Sequence, residues 1–309
     1  MDFSLSTCWN SHRHTDGQAM LEEIAVLGFS YAELSHGISM SLMEGVQRSV
    51  DQNIIKISSL HNFCPLPPGA SGSMPNFYEP THTSPAHARL WQEFTCRTID
   101  FAEKLGARAV VLHLGSVHFL WKDPSEGIEA YAMNRSQQQL EEDESYVERL
   151  TEAFEAIRPK SLHAKPFLYR NLEAIVPYAQ KRGIQLGFEN REGLLELPLD
   201  EQFVDLLNDF SSSGVGGYWH DTGHAQIKAH MGILDVKEHL QMNGPKLVGC
   251  HLHDVVDGKD HRAPGTGTVD FSLLKPFLKA NTPRVMELSP SVSAEEILAS
   301  RGYLKKNLG

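Results

Sequence analysis

Three observations in the sequence predict an α/β protein built as a single (β/α)8 TIM barrel over residues 1–309. Short apolar runs alternate eight times with longer stretches of helical spacing, the pattern of a parallel sheet joined by crossover helices. No phosphate-binding glycine turn follows the first run, where Thr7–Cys8–Trp9–Asn10 stands instead, and Gly265–Thr266–Gly267 is too short and too late to be one. An open dinucleotide-binding sheet is therefore disfavoured. Ionisable residues also recur at the C-terminal ends of the apolar runs, the end at which barrel active sites lie.

In chain order, Phe3–Thr7 reads as a strand, and Asp16–Leu27 as a helix with Met20, Ile24 and Leu27 on one face and Gly28 as its stop. Ser30–Leu34 and Ile38–Val50 form the second strand and helix, and Ile54–Leu60 is a β-branched strand ending at His61. The loop 62–85 is rich in Pro, Gly and Ser and carries Phe77 and Tyr78; its length suits a lid or an interface between copies of the chain. Ala86–Leu105 is a helix closed by Gly106, and Ala109–Leu112 an apolar strand ending at His113. Helices are expected at Asn134–Ile157 and Lys165–Arg182, with the acidic run Glu141–Glu144 as a solvated helix face. Strands Gly183–Phe188, Gly217–His220, Lys246–Cys250 and Arg284–Met286 end at Glu189, Asp221, His251 and Glu287. Helices at Leu199–Phe210, Ile233–Gln241, Phe271–Leu278 and Ala294–Leu304 separate or follow them.

Composition narrows the function. Apolar content of 41% and charged content of 22% are those of a globular protein. A formal net charge of −11 lacks the positive footprint that neutralises phosphates, which disfavours nucleic acid as partner. No apolar run approaches the roughly 20 residues of a membrane span. The N-terminus MDFSLSTCWN has neither the basic region nor the apolar core of a secretion signal, so a cytoplasmic location is expected. Cys8, Cys64, Cys96 and Cys250 show no CxxC spacing and read as reduced thiols.

His61, His113, Glu189, Asp221, His251 and Glu287 fall one per strand on six consecutive strands, so a barrel gathers them on one face. Burying so many ionisable groups together requires a counter-charge, and a divalent cation supplies it. Two Glu, one Asp and one His make a hard, mostly oxygen donor set that suits Mn²⁺, Mg²⁺ or Co²⁺ at least as well as Zn²⁺. Asp221–Thr222–Gly223–His224 adds an ionisable group across a tight turn, and Val248–Phe271 adds His253, Asp254, Asp257, Asp260 and His261. His251 and His253 alternate along a strand and share a face, so they compete as ligands.

At the motifs SLHN (ending in Asn62), VVLHLGS, GFEN, HDTGHA, HLHD, MEL and DHRAPGTGTVDF, the chain resembles the xylose isomerase-like barrel superfamily, which holds sugar isomerases and epimerases, inosose dehydratase and endonuclease IV. The resemblance runs from Phe3 to about Tyr303. It implies a metal-dependent isomerase or epimerase acting on a small carbohydrate or polyhydroxy ketone, with one cation, Mn²⁺ first, held by Glu189, Asp221, His251 and Glu287. Glu189 and Glu287 would exchange a proton with a carbon next to a carbonyl. His224, His61, His113 and His253 would bind substrate. His251 is preferred over His253 as ligand because it is nearer the strand end and Asp254 follows at the spacing the family shows. A dehydratase using the same proton abstraction is also compatible. The endonuclease IV alternative would use a trinuclear zinc site, drawing on His61, His113, His224 and His261 as further ligands. Its Asp-x-His pair is displaced here, since Asp260 and His261 are adjacent and neighbours on an extended strand point apart. Glu33 and Trp9 are further candidates to touch a hydroxyl or a sugar face, and Arg191 and Arg262 to bind an anionic substrate.

Overall fold

The computed structural model describes residues 2–70 and 72–309. Its centre is a closed barrel of parallel strands: β1 (Ser4–Ser6), β2 (Tyr31–Leu34), β3 (Lys56–His61), β4 (Ala109–Leu112), β5 (Gln185–Glu189), β6 (Gly216–Asp221), β7 (Leu247–Leu252) and a last strand at Arg284–Met286. An antiparallel ribbon, β8 (Asp254–Val256) with β9 (Lys259–Arg262), lies between β7 and that last strand, which is therefore β10. The barrel runs β1-β10-β7-β6-β5-β4-β3-β2 and closes on itself, as the sequence predicts. No described helix is long and apolar enough to cross a membrane, and all four cysteines are unpaired.

The barrel is filled, and one residue dominates its filling. Trp219 on β6 is fully buried and packs with Ala109, Val111 and Val285. Its neighbours in register are Glu189 on β5 and Gly249 on β7. Gly249, and Gly187 two residues before Glu189, leave the space its ring occupies: a Cβ at Gly187 would lie 2.7 Å from the indole, and one at Gly249 would collide with it. Side chains two apart on a strand share a face, so Trp219, Gly187 and Gly249 form the layer directly beneath Asp221, Glu189 and His251. The ring centroids of Trp219 and His251 are 5.2 Å apart. The indole is thus the floor of the pocket.

Helices α1 (Gly17–Val26), α2 (Met43–Asp51), α3 (Pro85–Lys104), α7 (Phe203–Ser211), α9 (Val236–Asn243) and α10 (Ala294–Leu308) jacket the barrel near their expected positions. Elsewhere the structure corrects the sequence reading. The segment 128–182 forms two short helices, α4 (Ile128–Ala132) and α5 (Gln137–Glu141), and then one 39-residue helix, α6 (Glu144–Arg182). Pro159, Pro166 and Pro177 lie inside α6 without ending it. All three are on its exposed side, where water can satisfy the carbonyls they release, while Ala153, Ile157, Ser161, Ala164, Leu168, Leu172 and Ile175 keep an unbroken buried stripe. The acidic run 141–144 is no helix face: it spans the break between α5 and α6, and Asp143 caps α6 by accepting from the N–H groups of Ser145 and Tyr146. Phe271–Phe277 is a 3-10 helix rather than an α-helix, with Pro276 inside it.

The predicted tight turn after Asp221 is the first turn of an unpredicted helix, α8 (Thr222–His230), which Asp221 caps by accepting from the His224 N–H at 2.8 Å. The ribbon β8–β9 is likewise absent from the expected elements. Its two-residue turn, Asp257–Gly258, has positive φ at both positions (52° and 67°), the conformation for which Asp-Gly is the preferred pair. Residues of 117–164 join Leu194, Leu197, Leu199, Ile227, Met231 and Val255 in a second apolar cluster.

Candidate active site and metal centre

The six predicted strand-end residues converge, and none is more than 6% exposed. One donor atom each from Glu189, Asp221, His251 and Glu287 lies within 4.8 Å of the others. His251 Nδ1 is at the centre, 2.6 Å from Glu189 Oε1, 2.9 Å from Glu287 Oε2 and 3.6 Å from Asp221 Oδ2. Its Nε2 lies 3.2 Å from both carboxylate oxygens of Glu33, which also accepts from Ser59 Oγ at 2.7 Å. With the Nε2 proton donated to Glu33, Nδ1 presents a lone pair to three carboxylates. That arrangement needs either a second proton or a cation. Burial lowers the pKa of His251, but Glu287, Glu33 and Glu189 outweigh it and raise it well above the usual imidazole range. A divalent cation fits where that proton would go.

The same pattern recurs around the pocket. His61 Nδ1 donates to the Asn62 carbonyl at 3.0 Å, His113 Nδ1 to Asn76 Oδ1 at 3.2 Å, and His224 Nδ1 to the Asn190 carbonyl at 3.0 Å. Each then turns a bare Nε2 toward a carboxylate: His61 and His113 toward Glu189 Oε2 at 3.7 and 2.9 Å, His224 toward Asp260 Oδ2 at 3.7 Å. The His113 Nε2 contact lacks the alignment of a hydrogen bond, so a buried nitrogen is left without a partner. An outer N–H held by an oxygen and an inner lone pair facing carboxylates is the arrangement of metal-ligating histidines. Besides the central set, four groups among the described residues have ligand spacing: His61, His113 and Glu189 on one side, and on the other Glu192 with His224 and Asp260, Asp221 with His224 and His253, and His253 with His261 and Glu287.

His253 departs from this pattern in its tautomer, although it also belongs to two of these groups. Its Nδ1 accepts the His261 N–H at 2.9 Å, so its proton is on Nε2 and is donated to Asp221 Oδ2 at 2.8 Å. It is fully buried and orients Asp221, in place of the expected contact with substrate. Glu33 is likewise fully buried and tied to His251 and Ser59, not placed to meet a hydroxyl. Trp9 is 4% exposed, gives its indole N–H to the Val292 carbonyl, and lies under the Arg13 guanidinium, so its face is not free for a sugar. Arg262 lines a separate hollow of about 390 Å³ with Lys259, Ser291 and Glu296. Arg191 is consumed by Glu189 at 2.8 Å and Glu196 at 2.9 Å and is not free for an anion. The expectation that Asp260 and His261 point apart also fails. His261 takes φ of 54°, which turns its ring back until Nδ1 is 2.8 Å from Asp260 Oδ2, and both face the pocket. The loop 62–85 reaches the site through Asn76 and is tied down by Leu66 N–H to the Ile38 carbonyl and by Glu79 to Ser116 and His118.

Electrostatics keep the carboxylates ionised. Burial opposes the charge on Glu189, yet Arg191, His251 and His113 hold its pKa well below the usual range. His224 and His253 do the same for Asp221, and His251 and His261 for Glu287. Burial, then Arg191, push His113 down to about 4, so its imidazole is neutral near pH 7. Two residues, Glu192 and His36, escaped the sequence reading. Glu192 and Asp260 complete the group around His224, and burial together with Asp260 raises the pKa of Glu192. His36, two residues past β2, meets His61 edge to face with ring centroids 4.6 Å apart. For Glu192, proximity to the GFEN motif was the available signal; for His36 there was none.

Comparison with solved structures returns sugar epimerases. A D-tagatose 3-epimerase-like protein superposes with a TM-score of 0.68 at 20% identity, covering 100% of this chain and 97% of its own. The 3-keto-D-glucoside 4-epimerase from E. coli gives 0.67 at 13% identity, with 99% of both chains covered. The D-psicose 3-epimerase from Clostridium cellulolyticum H10 gives 0.67 at 12%, covering 100% and 99%. At such identities the likeness is one of fold. No curated protein matches the sequence. The family described as "Xylose isomerase-like TIM barrel" matches residues 21–306, and the chain belongs to that family.

Proposed function

We propose that this chain is a divalent-metal-dependent sugar epimerase or isomerase that moves a proton at a carbon next to a carbonyl. The observation that carries the reading is the pair Glu189 and Glu287. They are buried carboxylates at the ends of strands separated by β6 and β7, and both lie within 3 Å of His251 Nδ1. The sugar epimerases among the structural neighbours support it. Glu189, Asp221, His251 and Glu287 would hold the cation. When bound, it would polarise a substrate carbonyl and acidify the adjoining C–H. Glu189 and Glu287 would then act as base and acid: the ionised one removes the carbon-bound proton, and the other, having taken up a proton when substrate binds, returns it to the opposite face of the carbon. Glu33 fixes the tautomer of His251, His253 fixes Asp221, and His113 and Arg191 hold Glu189 as the carboxylate. The mostly oxygen donor set favours Mn²⁺. The loop 62–85 serves as the cover of the site.

A second reading rests on the flanking groups. Glu189 is shared between the central set and His61–His113, and Asp260 with His224 offers a further position. Three neighbouring cations would suit a phosphodiester hydrolase of the endonuclease IV kind. The net charge of −11 weighs against a nucleic-acid substrate. Incubating the manganese-supplemented protein with ketoses, 3-keto sugars and inososes in heavy water, followed by NMR, tests the first reading. Deuterium entering one sugar supports it. A protein that exchanges no sugar but nicks abasic DNA, with three zinc ions per chain, overturns it.

A further inference from the structure

The imidazoles around the pocket are all paired, except one. His61, His113, His224, His251 and His253 each have a hydrogen-bond acceptor or donor on the protein. His36 makes no hydrogen bond to any described residue, and its Nδ1 is closed off from solvent without a partner. A buried polar group left unpaired costs about 1–3 kcal/mol. The site carries that cost at His113 Nε2 and Trp219 Nε1 as well, but His113 is held through Nδ1, whereas His36 has no partner at either nitrogen among the described residues.

The position of His36 is well defined. Its ring packs against His61 at 4.6 Å and faces His113 at 6.4 Å between centroids. Among charged groups it feels Glu287 across the barrel and Arg191. It therefore stands on the flank of His61 and His113, whose Nε2 atoms face Glu189, one of the two proposed acid/base groups. Its backbone is held on both sides. Ser35 N–H donates to Thr7 Oγ1 at 2.8 Å, Ile38 N–H to the Ser35 carbonyl, and Leu66 N–H to the Ile38 carbonyl. Yet His36 belongs to none of the groups whose donor atoms converge for a cation. A preorganised, unpaired ring beside the reacting groups, outside the ligand sets, has one unfilled role: to meet the substrate.

We propose that His36 is a substrate-binding residue that pairs with a hydroxyl group of an uncharged sugar. The inference rests on the sugar reading of the site and names its substrate class. A neutral imidazole offers one donor and one acceptor, the complement of a hydroxyl. No described carboxylate lies within ion-pair distance of this ring to hold a second proton on it. A phosphate at the same place would not find Arg191 free, since it is already shared by Glu189 and Glu196.

The test uses the sugar into which the manganese-loaded protein washes deuterium. His36→Ala should raise KM by roughly tenfold, the worth of one hydrogen bond, with metal content per chain unchanged. Deoxygenating that sugar one position at a time should cost the native protein a similar factor at a single carbon, and His36→Ala nothing further at that carbon. His36→Gln, with thermal unfolding as a control, covers the case in which the alanine variant folds poorly, and should restore part of the affinity. An unchanged KM, equal deoxygenation penalties in both proteins, or preferential exchange of the 6-phosphate ester overturns the assignment while leaving the sugar reading intact. Exchange into no sugar at all overturns that reading, and the assignment with it.

Discussion

The two flanks of the site are made by different means. The flank of His61 and His113 consists of strand tips: each residue ends a barrel strand, and its direction is set by the alternation of that strand. The flank of His224, His253, Asp260 and His261, around the strand tip Asp221, is assembled from inserted parts. His224 comes from the first turn of α8, His253 from the residue between β7 and β8, and Asp260 and His261 from β9. The first flank depends on the barrel alone. The second depends on a helix cap, a two-residue turn and one buried carboxylate. Asp254 is 1% exposed and accepts four backbone N–H bonds, from Val255, Gly265, Gly267 and Val269 at 2.9–3.0 Å. It ties the ribbon to the glycine-rich loop. Functional groups of equal standing can thus have unequal mechanical support.

Substitutions can break or sharpen this contrast. Glu189 serves the centre and the first flank, so Glu189→Gln should give the largest loss, about 10²- to 10⁴-fold in turnover, with lost metal at both positions by elemental analysis. Full activity would remove it from the chemistry. Asp254→Ala should destabilise the fold by about 3 kcal/mol in denaturant titration, because four buried N–H groups lose their acceptor. It should disturb the histidine NMR signals of 224, 253 and 261 while sparing 61 and 113; equal disturbance on both flanks would refute the division. His253→Gln should weaken cation binding by about 10- to 100-fold, the usual worth of a residue that orients a ligand, whereas His251→Gln should abolish it. Equal effects would mean that the two imidazoles were assigned the wrong way round.

The test furthest from the chemistry is a pH slope. His220 lies behind Asp221 against Tyr218, whose hydroxyl is 2.7 Å from His220 Nδ1 and 3.0 Å from His239 Nε2. Burial foremost, then His239, lower its pKa to about 3. A histidine whose folded pKa lies below its unfolded value of about 6.5 is taken up uncharged, so the unfolded chain binds the extra proton. Its stabilising contribution is present above about pH 6.5 and is lost as pH falls toward about 3, at roughly 1.4 kcal/mol per pH unit. His220→Gln should flatten that limb of the stability profile; an unchanged slope would place the titration elsewhere.

The same contrast explains what could be read from the chain. Glu189, Asp221, His251 and Glu287 were legible because an apolar run of four or five residues in an α/β pattern has one meaning, and the residue at its end has one destination. α8 and the ribbon carried signals that went unused: Asp221 is a good cap, and Asp257–Gly258 a good hairpin turn. The three prolines of α6 misled because local propensity yields to a continuous buried stripe. His36, Glu192 and the backward turn of His261 depend on backbone paths that local sequence does not determine. The orienting role of His253 was hidden for another reason: the position of a ring proton is set by partners from other strands.

Trp219 has a consequence of its own. A large fluorophore sealed under the catalytic groups, edge-on to His251, responds to what occupies the space above it. Loading or stripping the pocket should change the protein's ultraviolet emission without any added dye, and Trp219→Phe should silence that response while Trp9, Trp91 and Trp121 go on emitting. The molecule carries a built-in gauge of its own occupancy.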